Sequence, residues 1–179
     1  MRILSMLLLS CIVISAKAQT IEFGNKAKIY LVRHAEKESG DDPLLTPDGN
    51  KRAGDLLRAL KGKKIRRIYV TEYKRTQNTG DSLRIQMGID TVHYGSDTSC
   101  TDLVSKLKAH QDLNDAILII GHSNTIPLVI RKLGIAEYPK DYIPSNDFDD
   151  LFLLSFKKGK ATLTRSKYGA ASAESASMH

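Results

Sequence analysis

The sequence predicts an α/β fold, a three-layer sandwich in which a largely parallel central sheet is flanked by helices. Short continuous apolar runs at 29–32 and 116–120 have the length and β-branched content of strands buried on both faces, and 65–70 reads as another strand behind a basic entry. Between them lie segments with apolar residues at helical spacing, and strands alternating with helices give a parallel sheet. Each of these strands also empties into a polar turn carrying histidine or arginine. In open α/β sheets ligands bind beyond the carboxyl ends of strands.

The first strand, Ile29-Tyr30-Leu31-Val32, ends in Arg33-His34-Ala35-Glu36-Lys37. Successive strand residues point to opposite faces, so Arg33 and His34 serve one pocket only if the backbone leaves strand geometry there. After a polar loop, Thr46-Pro47-Asp48 supplies an N-cap, a proline at the first helical position and an acid in the first turn. Ala53, Leu56, Leu57 and Leu60 continue at helical spacing, and Gly62 stops the helix. The second strand, 65–70, follows a basic approach of Lys63, Lys64, Arg66 and Arg67, which reads as a solvated end. Thr71 to Thr79, containing Arg75, leads into a helix that runs to about Met87.

Thr91 to Tyr94 reads as a short third strand and Asp97 to Cys100 as a loop. A helix through Leu103, Val104 and Leu107 follows, with Thr101 expected as its cap. Ala116-Ile117-Leu118-Ile119-Ile120 is the most apolar strand and belongs at the sheet centre. It opens into Gly121-His122-Ser123-Asn124-Thr125 and a helix with Pro127 in its first turn. A loop from Gly134 to Asp149 is long enough to be functional. Leu151–Phe156 and Ala161–Arg165 form a closing hairpin through Lys158-Gly159. The residues from 169 to 179 are expected to be a disordered tail, which leaves 19–168 as a single domain.

The chain begins with Met1-Arg2, an apolar run to Ile14 and Ala16-Lys17-Ala18, the three parts of a secretory signal peptide. The run is too short to span a bilayer, for which roughly 20 apolar residues are needed. Cleavage after Ala18 and an exported, periplasmic or secreted, protein are therefore expected. A lipoprotein signal at Leu8-Leu9-Ser10-Cys11 fits less well, because apolar residues continue beyond Cys11. Removing residues 1–18 takes away Arg2 and Lys17 and no acid, so the formal charge falls from +7 to +5. A basic protein favours anionic partners, whether phosphate esters, acidic polysaccharide or a membrane surface. Scattered cations, few aromatics and no reading motif argue against nucleic acid. Only Cys100 then remains, so no disulfide can form within the mature chain, and the fold rests on its core.

Arg33 with His34, then Arg75, then His122 arrive at three strand ends. Together they suit phosphoryl transfer, which needs a nucleophile in line with phosphorus and positive donors on the nonbridging oxygens. A neutral His34 can attack, form a phosphohistidine and be regenerated by water. Arg33 and Arg75 offer planar forks, and His122 completes the cradle. At about 4 Å and an effective dielectric near 20, each unit charge pair contributes on the order of 4 kcal/mol before desolvation. No spaced cluster of His, Cys and carboxylates accompanies them, so neither metal nor other cofactor is expected.

With these residues in view, the sequence resembles the histidine phosphatase superfamily, which includes cofactor-dependent phosphoglycerate mutases and secreted acid phosphatases. Leu31-Val32-Arg33-His34-Ala35-Glu36-Lys37 matches the opening motif with Ala35 in the usual place of glycine. Arg75-Thr76 matches the second arginine motif, and Gly121-His122-Ser123-Asn124 the second histidine. The resemblance runs from about Lys28 to Tyr168. It implies a phosphoglycerate mutase-like fold, His34 as the phosphorylated nucleophile, and Arg33, Arg75 and His122 as the phosphate holders. It also implies phosphorylated small molecules or surface glycan phosphates as substrates. Many members place a glutamate general acid 20 to 30 residues after the second arginine, and this chain has none there. Asp97 is the leading candidate for that role, with Asp102 and Glu36 behind it.

Hydrolysis is favoured over a mutase-like transfer by the short chain and the missing glutamate. A noncatalytic anion-binding module would not need both histidines and both arginines. Ser123 also sits in an arrangement like the nucleophile elbow of α/β-hydrolases, but the only later histidine is His179, the last residue. His93 and His110 read as surface residues.

Overall fold

The structure is a computed structural model and describes residues 21–172. The expected signal peptide, residues 1–18, lies outside the described residues. Six strands form one sheet: β1 (Lys28–Arg33), β2 (Arg67–Thr71), β3 (Asp90–Tyr94), β4 (Ala116–Gly121), β5 (Asp150–Lys157) and β6 (Lys160–Lys167). Their spatial order is β3-β2-β4-β1-β5-β6. The first four in that order pair in parallel, and the β5–β6 hairpin adds antiparallel strands at the β1 side. The apolar strand β4 lies inside the sheet between β2 and β1, as its composition requires.

Four helices cover the two faces: α1 (Pro47–Leu60), α2 (Lys74–Met87), α3 (Thr101–Ala109) and α4 (Thr125–Lys132). Strand periodicity divides the core between them. Ile29 and Leu31 of β1 with Ile117 and Ile119 of β4 pack against Leu103 and Leu107 of α3 and Ile126, Val129 and Ile130 of α4. Tyr30, Val32, Leu118 and Ile120 face the other way, onto Leu56 and Leu60 of α1 and Leu83 of α2. This is the three-layer sandwich read from the sequence. Thr46 caps α1 by accepting from the Gly49 N–H at 3.0 Å, a contact of about 1 kcal/mol.

Two expectations at element ends need correction. Thr101 is the first residue of α3 and not its cap; Cys100 holds the N-cap position in left-handed backbone (φ 56°) with no side-chain cap bond. The tail does not become free at Gly169. The buried Ser172 hydroxyl accepts from the N–H groups of Phe148 and Asp149, and its own N–H donates to Asp149 Oδ2 at 3.0 Å. Arg52 Nη1 donates to the carbonyls of Tyr168 and Ala170. Residues 169–172 thus close against the loop before β5, because that loop offers backbone groups the tail can satisfy.

Candidate active site

The pairing of β1 with β4 brings the two histidines together. Arg33 is the register partner of Gly121, and the His34 N–H donates to the Gly121 carbonyl at 2.9 Å. His34 and His122 therefore leave adjacent strands at the same level, with ring centroids 5.5 Å apart. Strand β1 ends at Arg33, and the backbone departs from strand geometry there, as two side chains serving one pocket demand. The turn is held by the Ala35 N–H, which donates to Thr79 Oγ1 of α2 at 2.9 Å. The Ala35 methyl is fully buried with Leu45 and Ala53. Gly49 admits the chain beyond: a Cβ there would lie 2.1 Å from the Glu36 carbonyl oxygen.

A cavity of about 320 Å³ opens at this edge, lined by Arg33, His34, Arg75 and His122 with Lys37, Tyr73, Ser96, Ser123 and Asn124 at its rim. All four residues expected to handle phosphate meet here. Arg33 is buried and its Nη1 donates to the carbonyls of Pro144, Ser145 and Asp147 at 2.8, 2.9 and 3.2 Å. With Nη1 so engaged, the Nε edge remains. Buried Nε groups of both Arg33 and Arg75 have no hydrogen-bond partner among the described residues. Buried polar groups without partners are rare and costly, so a pair of orphaned cationic donors in one cavity marks an anion site. Each guanidinium is backed by an aromatic ring, Arg33 by Phe148 and Arg75 by Tyr73, both 4.1 Å from the ring centroid. The N-terminal ends of α2 and α4 also reach the cavity through Tyr73 and Asn124, neither of which makes a side-chain cap. Their partial positive charge adds to the field.

Burial pushes the His34 imidazole down to about 3. The neighbouring charges of Arg33, His122 and Arg75 act in the same direction, while the hydrogen bond to Ala35 opposes it. Burial, then Arg75, lowers His122 to about 4, with Glu72 opposing. Both rings are neutral near pH 7. His34 Nδ1 lies 2.8 Å from the Ala35 carbonyl oxygen, which can only accept, so Nδ1 carries the proton and Nε2 keeps its lone pair. That is the form required of a nucleophile. Burial also lowers the Arg33 guanidinium to about 10, which leaves it charged at neutral pH.

Sequence reading missed a hydroxyl relay behind His122. Its Nε2 lies 3.0 Å from Thr71 Oγ1, which lies 3.0 Å from Thr76 Oγ1. The Thr76 hydroxyl donates to the Tyr73 carbonyl at 2.8 Å. Thr71 therefore donates to Thr76 and accepts from His122, which assigns the His122 proton to Nε2. Thr71 and Thr76 stand inside the Arg75 motif but read there as strand end and helix start; only their approach to His122 reveals the role.

The three carboxylates considered for a general acid are all engaged elsewhere. Asp97 is exposed and accepts from the N–H and hydroxyl of Ser99, and it does not line the cavity. Asp102 accepts from the Gly95 N–H and from Lys106 Nζ at 2.7 Å. Glu36 is clamped by the buried Arg52, whose Nε and Nη2 reach it at 2.9 and 2.7 Å. Placement in a loop gave no sign of the Ser99 turn, and Arg52 lies a helix away from Glu36 in the chain. Glu72 is the carboxylate that touches the rim, accepting from Ser96 Oγ at 2.7 Å. Burial pushes its carboxyl up, but hydrogen bonds from Ser96 and the backbone outweigh this and hold it below the usual range. An ionised Glu72 accepts and does not donate. Among the described residues, three carboxylates, Asp147, Asp149 and Asp150, gather closely enough to suggest a cation site. Lys167 and Arg165 already occupy them.

Residues 29–95 match the family model for the histidine phosphatase superfamily (branch 1), a span that contains Arg33, His34 and Arg75. No curated protein matches the chain. Solved structures with the same fold include a proposed phosphohistidine phosphatase SixA from Nakamurella multipartitia, 20% identical, with a TM-score of 0.58 over 80% of this chain and 97% of that one. The alpha-ribazole phosphatase from Shigella flexneri is 15% identical, with a TM-score of 0.60 over 76% of this chain and 94% of that one. Phosphoserine phosphatase from Entamoeba histolytica, in complex with 3-phosphoglyceric acid, is 20% identical, with a TM-score of 0.56 over 80% and 98%. At these identities the likeness establishes the fold, that of phosphoglycerate mutase-like phosphatases.

Proposed function

We propose that this chain, with the histidine phosphatase superfamily matched over its first two phosphate motifs, is a phosphatase that hydrolyses phosphorylated small molecules through a phosphohistidine on His34. The observation that carries this is the convergence of a neutral His34, with Nε2 unprotonated, on a cavity where two buried arginine donors lack partners. His34 Nε2 attacks phosphorus, the N–P bond forms, and the ester bond to the leaving oxygen breaks. Arg33 and Arg75 hold the nonbridging oxygens, where transition-state charge accumulates. Burial, then the charge of Arg75, keeps His122 neutral; a bound phosphate dianion adds an attraction that opposes both, so His122 gains a proton and donates to the group. Water then attacks the phosphohistidine, the N–P bond breaks, and inorganic phosphate leaves with His34 restored.

Because no carboxylate lines the cavity among the described residues, protonation of the leaving atom is weakly assisted. The substrates that suit such a site have leaving groups that depart with little help, such as aryl phosphates and the phosphoramidate of phosphohistidine, the substrate class in the name of one structural neighbour. A series of phosphomonoesters of graded leaving-group basicity tests this. The kcat/KM, which reports the step that expels the leaving group, should fall steeply from aryl to alkyl phosphates and drop at least about a thousandfold in His34→Ala for all of them. Equal kcat/KM across the series would show that a general acid acts. Export through residues 1–18 and action on surface glycan phosphates are part of the same proposal. N-terminal sequencing of the protein from its producing cell should begin at Gln19, and a chain that retains Met1 would remove the export step.

A further inference from the structure

We propose that the end of the sheet opposite the catalytic pocket is a docking face for an anionic lipid bilayer. Parallel strands place their starts together, so the segments leading into them share one end of the molecule. The turn between α1 and β2 brings Lys61, Lys63 and Lys64 to that end, and the start of β1 brings Lys26 and Lys28. Strand β5 runs antiparallel to β1, with Ser155 opposite Lys28, so the β5–β6 hairpin tip adds Lys157, Lys158 and Lys160. The Lys158 N–H donates to Asn25 Oδ1 at 2.7 Å, which ties the tip to the β1 approach. All eight lysines are exposed, and none has an ion-pair partner among the described residues. The acids nearest in the sheet, Asp90, Asp112 and Asp115, pair with Arg66 and Arg67, and Glu22 and Asp90 are exposed countercharges at this end.

Charge alone would suit any polyanion. The apolar residues decide for a bilayer. Helix α2 runs back from the catalytic edge, so its last turn lies at the lysine end, and there Ile85 and Met87 stand 68% and 44% exposed. Cationic side chains around exposed aliphatic ones are the signature of a surface that rests in the headgroup layer. Six strands spread this face over about 24 Å at the usual strand spacing, with a cavity of about 850 Å³ beside Lys158 and Lys160 on its hairpin side. The opposite edge carries exposed Glu38, Asp41, Glu72, Asp97 and Asp141, which outnumber the exposed Lys37, Lys74 and Lys140 there. The resulting charge asymmetry turns the catalytic pocket away from the lipid, open to soluble substrate.

Vesicle sedimentation of the full chain tests this, with phosphatidylcholine vesicles compared with vesicles that also contain phosphatidylglycerol. The N-terminal run carries Arg2 and Lys17 and adds an anionic preference of its own, so the lysine face is isolated by comparing wild type with a lysine variant that keeps that run. The variant Lys28→Gln/Lys64→Asn/Lys158→Asn/Lys160→Gln is chosen because Lys64 and Lys158 occupy left-handed backbone (φ 55° and 49°), which asparagine tolerates at least as well. Its preference for the anionic vesicles should fall about a hundredfold or more, and that of wild type should vanish in high salt. Ile85→Gln/Met87→Gln should weaken binding to anionic vesicles, whereas Lys74→Gln/Lys140→Gln at the catalytic edge should not. Turnover of an aryl phosphate should be unchanged in every variant. Equal binding to both lipids, an unaffected lysine variant, or retention on heparin without anionic-vesicle binding would overturn the proposal.

Discussion

His34 and Arg33 were legible from their neighbours in the chain, since an apolar strand that ends in Arg-His carries its own context. The residues that set their chemistry were not. Phe148 backs Arg33 across more than a hundred positions, and Thr71 reaches His122 only because β2 and β4 are paired. No periodicity signals such contacts. Thr71 is the most testable of them, because its hydroxyl fixes which nitrogen of His122 carries the proton. Thr71→Val should lower kcat by about 10-fold to 100-fold with little change in KM, and Thr71→Ser should restore most of it. A loss in KM alone, or no rescue by serine, would make Thr71 a packing residue. The carboxylates are the other lesson at this scale. Sequence could place Asp97, Asp102 and Glu36 near a strand end, but it could not show that Ser99, Lys106 and Arg52 had already claimed them.

At the scale of elements, strand and helix positions followed from periodicity and end signals, and the register of β1 with β4 followed from neither. That register is what juxtaposes the two histidines. The connection after β1 is held by Arg52 of α1, which joins Glu36 to the carbonyls of Tyr168 and Ala170 and so links the nucleophile turn to the segment that follows β6. Arg52 is buried but Glu36 is 23% exposed, so removing Arg52 leaves a carboxylate that water reaches in part. Arg52→Ala should cost about 2–3 kcal/mol in urea unfolding, short of the loss for a fully buried pair, and a loss below about 1 kcal/mol would show that the pair is surface-like. The same contacts explain why residues 169–172, whose small polar composition reads as a tail, are packed. Their backbone and the Ser172 hydroxyl satisfy groups that composition cannot reveal.

For the whole molecule, the site is a store of instability. Two imidazoles are held neutral by burial, with ordinary pKa values near 6.5 in the unfolded chain and values of about 3 and 4 when folded. Between pH 4 and 6.5 the unfolded state therefore binds more protons than the folded one, so stability rises with pH across this window and is lost as pH falls through it. Each imidazole contributes a slope of up to about 1.4 kcal/mol per pH unit. Urea unfolding at a series of pH values should show this slope in wild type and about half of it in His122→Gln. A flat profile would mean that the rings titrate normally. The fold and its catalytic edge were legible at this scale because alternation of strands and helices dictates them. The placement of Arg33 in the cavity was not, since it depends on the carbonyls of Pro144, Ser145 and Asp147 in the loop from Gly134 to Asp149.

The proposed chemistry requires that His34 carry the phosphoryl group. The direct measurement is to mix the enzyme with a radiolabelled phosphomonoester, quench it within one turnover in alkaline denaturant, and map the label. Label should appear on His34, stable to alkali and lost in acid, and be absent from His34→Ala. Label on Ser123, or label that persists in His34→Ala, would contradict it.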